Sequence, residues 1–188
     1  RGAFPWGEDN TPLSAYDEPD VWQCEFLAWL GSEIARRKFD GVTPVMPIRR
    51  AWSTGHGIGK SALFAWIVDW IMSTRRNCRG TVTANTQDQL DKKTWAAVRE
   101  WTARCLTSHW FDINTEIMYR CGLPGNVGRS TWFCAPVSCS PENADAYQGQ
   151  HAKTSTSFYL MDEARGIHDK IWEAAEGGLL RLRERRKQ

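Results

Sequence analysis

Residues Ser53–Ser61 read STGHGIGKS and run directly into SALFAWIVDWIM, which starts at Ser61 itself. Glycines at 55, 57 and 59 allow the backbone to curl so that consecutive N–H groups point inward, an arrangement that cradles phosphate oxygens. The apolar segment is expected to be a helix, which would place those phosphates at a helix N-terminus as well. The loop then comprises Gly55, His56, Gly57, Ile58 and Gly59. Lys60 is expected to reach the β- and γ-phosphates of a nucleotide, and the Ser61 hydroxyl to ligate Mg²⁺. Thr54 stands where the pattern G-x-x-x-x-G-K-[ST] has its first glycine. The inner glycines and the Gly-Lys-Ser end carry the contacts, so the physics survives the substitution. The alternative is a tight strand-to-helix connection with no ligand.

About a hundred residues later, Phe158, Tyr159, Leu160 and Met161 form a short apolar run ending in Asp162 and Glu163. A buried strand delivers acids at its C-terminal edge in this way. Read as a Walker B pair, Asp162 holds Mg²⁺ through water, and Glu163 orients and deprotonates an attacking water. Alone, FYLMDE is equally an ordinary strand entering a helix whose first turn favours acids. Together with the upstream loop it outlines a nucleotide site using ATP and Mg²⁺.

Length and composition fit one catalytic domain. The 188 residues suffice for one sizeable α/β core, and a net charge of +2 gives no global basic excess. Charge is uneven: Glu8, Asp9, Asp17, Glu18 and Asp20 crowd the start, and Arg181, Arg183, Arg185, Arg186 and Lys187 the end. Six scattered cysteines form no C-x-x-C pair and are expected to be reduced thiols. No secretory signal is visible, and the apolar stretch 62–72 is interrupted by Asp69 and too short to cross a bilayer, so a cytoplasmic protein without membrane contact is expected. The first residue is Arg1, as expected of a piece trimmed from something longer.

Hydrophobic periodicity predicts an amphipathic helix over 20–39, with Trp22, Phe26, Trp29, Leu30 and Ile34 on one face. Residues 49–53 are expected to be the first core strand, although Arg49 and Arg50 are polar for that role. Further strands are expected at 80–84, 116–120, 130–135 and 158–161. The second and third of these surround the turn-rich GLPGNVG as a hairpin-like excursion. Helices are expected over 86–106 and 169–176. Such alternation predicts an α/β fold with a mostly parallel sheet covered on both faces. It divides into a helical segment 1–40, a core 41–178 and a basic tail 179–188. Most of the eleven tryptophans, such as Trp22 with Trp29 and Trp95 with Trp101, are expected to pack in the core.

The succession WQCEFL at 22–27, STGHGIGKS, VTANTQDQL at 82–90, AYQGQHA at 146–152 and YLMDEARGIHDKIWEAAEG at 159–177 resembles the ATPase domain of the large terminase subunit of tailed bacteriophages and prophages. The resemblance covers most of the chain. It implies a RecA-like P-loop NTPase of the additional-strand type, hydrolysing ATP to drive double-stranded DNA into a procapsid. It also implies portal and small terminase subunit as partners, a homo-oligomeric ring on assembly with a monomer in isolation, and action in the host cytoplasm. DNA contact would be weak, sequence-independent and salt-sensitive.

By the same resemblance Gln23 matches the adenine-recognising glutamine; a carboxamide pairs one donor and one acceptor with the N6/N7 edge. Lys60, Ser61, Asp162 and Glu163 match the catalytic and metal-binding positions. Thr83, Ala84 and Asn85 match a strand-end coupling motif, or simply a helix cap. Gly149 and His151 fall in a recurrent segment where His151 either packs or senses phosphate. Some terminases carry an arginine where this chain has His56, so an arginine finger must come from elsewhere, with Arg129 and Arg165 as candidates; such a finger is worth roughly 10³ to 10⁵ in rate. Past Glu176, GGLLRLRERRKQ does not read as the strand expected next, and no nuclease activity is expected. The alternatives are another P-loop helicase or translocase, or a nucleotide-binding fragment without turnover.

Overall fold

A computed structural model describes residues 3–11, 13–15, 18–40, 43, 45–53, 55, 57–148 and 155–180. Thr54, His56, Gly149, His151 and the basic run from Arg181 lie outside the described residues.

The described chain folds as helices around one five-stranded mixed sheet. Helix α1 is Val21–Arg37 and α2 is Lys60–Thr74. Strand β1, Arg79–Ala84, follows, and then α3, Gln87–Gln89, which continues through a π-helical turn at Leu90–Thr94 into α4, Trp95–Arg104. Strands β2 (Phe111–Ile113) and β3 (Met118–Arg120), helix α5 (Gly128–Thr131) and strand β4 (Phe133–Pro136) come next. The order ends with α6 (Ala144–Gln148), β5 (Ser157–Asp162) and α7 (Asp169–Leu180).

The strand order is β2-β3-β4-β1-β5. β1 pairs parallel with β4 and with β5, whereas β3 pairs antiparallel with β2 and β4. The expectation of a mostly parallel sheet is therefore corrected to a mixed one: a parallel trio carrying an antiparallel extension. The extension is the predicted hairpin, in which β3 turns back through Pro124–Asn126 and α5 onto β4.

The expected strand at 49–53 does not form. Arg49–Ser53 is exposed and unpaired, so β5 is the outermost strand among the described residues. The segment instead meets solvent and helix ends: Arg49 Nη1 lies 2.9 Å from Glu176 Oε1 of α7, and the Arg50 guanidinium lies over the rings of Trp29 and Trp52. Two adjacent guanidinium groups cannot be buried in a central strand without partners, which explains the difference.

Alternation along the strands divides the interior in two. On one face Val82, Ala84 and Phe158 join α2, α4 and part of α1. On the other, Tyr159 and Met161 meet Tyr147 of α6 and Ile171, Ala174 and Ala175 of α7. The acidic start of the chain is tied into the first core, because Phe4 and Leu13 are buried there. Phe4 and Trp6 complete an aromatic group with Trp66 and Trp101, whose rings meet edge to face at 5.0 Å. Trp22, Trp95 and Trp101 pack in or against this core as expected; Trp29, expected there with Trp22, is instead half-buried between Phe26 and the Arg50 guanidinium, and Trp52 and Trp172 remain exposed. All six cysteines are free thiols, and burial pushes that of Cys78 up to about 12.

Candidate functional site

Helix α2 opens on the glycine-rich loop. Gly57 and Gly59 have φ of +76° and +80°, the left-handed region open to glycine at little cost. Gly59 is the N-cap residue of α2, and among the described residues no side-chain cap bond is made there. The N–H groups that follow it carry the positive end of a 15-residue helix. Lys60 is half-buried, and its Nζ donates at the surface to the Gly55 carbonyl at 3.0 Å, folding back over the loop it follows.

Behind the loop stands Gln23, only 3% exposed. Its Oε1 accepts from the Asp20 N–H at 2.9 Å, and its Nε2 donates to the Gly59 carbonyl at 3.2 Å. The amide edge that the resemblance assigns to adenine is thus engaged with backbone at the start of α1 and in the loop.

Four residues, 75–78, connect α2 to β1, so helix and strand run antiparallel. The start of α2 accordingly lies toward the edge at which β1 and its parallel neighbours β4 and β5 end. Ala84 pairs in register with Asp162 at that edge. Asp162 is buried; its Oδ2 accepts from Thr94 Oγ1 at 2.8 Å, and its Oδ1 accepts from the Glu163 N–H at 3.0 Å. Thr94 belongs to the π-helical turn, and α2 packs against that turn. The loop's helix and the acid-bearing strand therefore both meet this turn, whose Thr94, bonded to Asp162, the sequence did not single out. A threonine inside a helical pattern carries no signal of such a role.

Glu163 is exposed with φ of +48°, unusual for a residue with a Cβ. The chain turns sharply there into the 3₁₀ turn Ala164–Gly166. Gly166 permits the turn: a Cβ at that position would lie 2.1 Å from Asn85 Oδ1. Asn85 extends from the end of β1, and its carbonyl accepts from the Cys139 thiol at 2.9 Å. The ends of β1 and β5 are thus packed together, and the Glu163 carboxylate is left facing solvent.

The two candidate arginines occupy different places. Arg165 is exposed two residues after Glu163. Arg129 lies over the Tyr119 ring of β3, three strands from β5, roughly 14 Å at ordinary strand spacing.

Ser61 and Asp162 offer hard oxygen donors suited to Mg²⁺, and each Asp162 oxygen keeps a lone pair beyond the hydrogen bond it accepts. Among the described residues no group of three or more His, Cys, Asp or Glu side chains could hold a metal by itself. That donor set suits an ion arriving with phosphates rather than one caged by protein.

No helix among the described residues is long and apolar enough to cross a membrane. Over 128 residues, 68% of its length, the chain is 26% identical to a protein of Enterobacteria phage P7 named probable terminase, large subunit. The match covers 25% of that protein, so the chain spans about a quarter of this relative's length. The similarity supports a distant relation to terminase large subunits. No family model matches the chain, and no solved structure matches it.

Proposed function

We propose that this chain is the ATP-hydrolysing part of a phage-type terminase large subunit, built on a P-loop at Ser53–Ser61. The observation that carries the proposal is the pairing of two features. A helix N-terminus, uncapped by side chains among the described residues, opens on left-handed glycines, and Asp162 and Glu163 stand at the end of a parallel strand, with the π-helical turn that carries Thr94 meeting both α2 and Asp162. The relative's name supports the packaging context.

In this function the loop amides and the first N–H groups of α2 accept the phosphate oxygens. Lys60 exchanges its bond to the Gly55 carbonyl for the β- and γ-phosphates, a short movement because that bond lies at the surface. Ser61 and Asp162 would hold a Mg²⁺ ion, which would neutralise phosphate charge when bound. Thr94 fixes the Asp162 carboxylate from one side, and the Glu163 N–H fixes it from the other. Glu163 takes the proton of the water that attacks the γ-phosphorus; the bond to the β–γ bridging oxygen breaks, leaving ADP and phosphate. Arg129 is too far across the sheet to serve its own site, so it would act on a neighbouring copy, whereas Arg165 could act in its own chain. Double-stranded DNA, portal, the small terminase subunit, a homo-oligomeric ring and the host cytoplasm belong to the same proposal.

A second reading is nucleotide binding without turnover. The unpaired state of Arg49–Ser53 and the outermost position of β5 favour it, because a loop and an acid not spanned by a common sheet are less firmly fixed relative to one another. Mg²⁺-dependent ATP hydrolysis, followed as a function of protein concentration with Glu163→Ala as the blank, separates the two. A specific rate that climbs with concentration, and that falls at least about 10²-fold in the variant, establishes a hydrolase completed by a neighbour. Binding with no turnover at any concentration establishes the second reading.

A further inference from the structure

We infer that Gln23 is a positioning residue for the phosphate loop, holding the Gly59 carbonyl so that the first N–H groups of α2 are presented to phosphate oxygens. The inference rests on the reading of Ser53–Ser61 as a phosphate site and gives Gln23 a task independent of the nucleotide base.

Three observations converge on it. The carboxamide joins the start of α1 to the loop, 36 residues further along the chain: its oxygen takes the Asp20 N–H, and its nitrogen reaches the Gly59 carbonyl. That carbonyl also accepts the Leu63 N–H at 3.1 Å, the first hydrogen bond of α2, so the opening turn of the helix is fixed from inside and from behind. Finally, a Cβ on Gly59 would lie 2.7 Å from Gln23 Nε2. The left-handed glycine and the amide therefore occupy complementary space, and a side chain at position 59 would have to displace the amide.

The chemistry calls for a carboxamide. One end must accept a backbone N–H and the other must donate to a backbone carbonyl, which glutamate and aliphatic side chains of the same size cannot both do. Gln23 is also almost wholly buried, and its acceptor is directed at α1 rather than at solvent. Its loss would loosen the loop toward every ligand that presents phosphates there, whatever base the ligand carries.

The test compares wild type with Gln23→Glu in Mg²⁺-containing buffer, titrating ATP, GTP and inorganic tripolyphosphate by calorimetry, with a thermal melt of each protein. The variant keeps the size of the side chain and its acceptor for Asp20, and puts a carboxylate oxygen against the Gly59 carbonyl. The expected result is a loss of about tenfold or more in affinity, equal for all three ligands. A loss confined to ATP would overturn the inference and make Gln23 a reader of the base. Unchanged affinity for all three, even with a lowered melting temperature, would overturn it by leaving Gln23 only the capping of α1. If Gln23→Glu does not fold, Gln23→Met, which keeps the volume without either bond, is read on the same ligands by the same criteria. Failure of the wild-type protein to bind any of the three removes the phosphate site itself, a result distinguishable because it requires no variant.

Discussion

The two halves of α2 are held in place by different physics. Its first turn has Lys60 at the surface, glycines at positive φ before it, and hydrogen bonds from Gln23 and to Gly55 as its supports. Its later turns bury Ala65, Trp66, Ile67, Val68, Asp69, Ile71 and Met72 between the sheet and α4. Dry packing downstream fixes the axis of the helix, which leaves its first turn free to be polar and open. A site at a helix N-terminus can thus be kept in register without burying the groups that would meet a ligand.

The largest effect should come from breaking the anchored half. Trp66 is buried among Phe4, Trp6 and Trp101, and Trp66→Ala should cost about 3–5 kcal/mol in denaturant unfolding. A loss below about 1 kcal/mol would show that the aromatic group is not what anchors α2.

The anchored half contains one group out of character. Asp69 is 1% exposed; Thr102 Oγ1 donates to its Oδ1 at 2.8 Å, while Oδ2 is buried without a hydrogen-bond partner among the described residues. Burial pushes its pKa up to about 7, and the Thr102 bond only partly opposes this. The titratable side chains acting on the same region are the thiols of Cys105 and Cys134, both pushed up by burial and so neutral across this range. From about pH 4 to 7 the unfolded chain has released the Asp69 proton while the folded chain still holds it. Stability should therefore fall as pH rises through that window, by up to about 1.4 kcal/mol per pH unit, and level off above it. Asp69→Asn should remove this contribution, giving a flatter profile of unfolding midpoint between pH 5 and 8. Parallel profiles would mean that Asp69 is ionised in the folded protein.

The smallest effect belongs to the approach to the loop. Arg49 and Glu176 form a half-exposed ion pair, and Arg49→Ala should change stability by no more than about 1 kcal/mol, less at high salt. A larger cost would mean that 49–53 is fixed more firmly than its exposure indicates, and would narrow the contrast between the two halves.

How legible each part was in the sequence follows the range of the interactions that make it. The β-branched TVTA run at 81–84, the apolar run ending at Asp162, the periodic face of α1 and the apolar segment of α2 declare themselves locally, and each formed within a few residues of its expected bounds. The strand expected at 49–53 was inferred from its place before the loop against the testimony of Arg49 and Arg50, and the residues prevailed. Strand β2 was missed because three residues give no periodicity, and the π-helical turn because nothing in LDKKT distinguishes it from an α-helix. At the site, the glycines, Lys60, Asp162 and Glu163 were visible as residue types in order. Their supports, Gln23 on Gly59, Thr94 on Asp162 and Asn85 against Gly166, join positions between 36 and 81 residues apart and leave no local mark. Asp69 did show itself, as the one acid in an otherwise apolar helix, but only as a reason to exclude a membrane span.

The central claim is that the open turn of α2 binds the phosphates of a nucleotide. It is tested most directly by calorimetric titration of Mg²⁺-ATP into the wild-type protein and into Lys60→Ala. The account predicts saturable binding by the wild type and a loss of about 10²-fold or more in the variant, a difference of roughly 2.7 kcal/mol, with no comparable change in unfolding because the Lys60 ammonium makes its bond to Gly55 at the surface. Equal binding by both proteins, or none by the wild type, would contradict it.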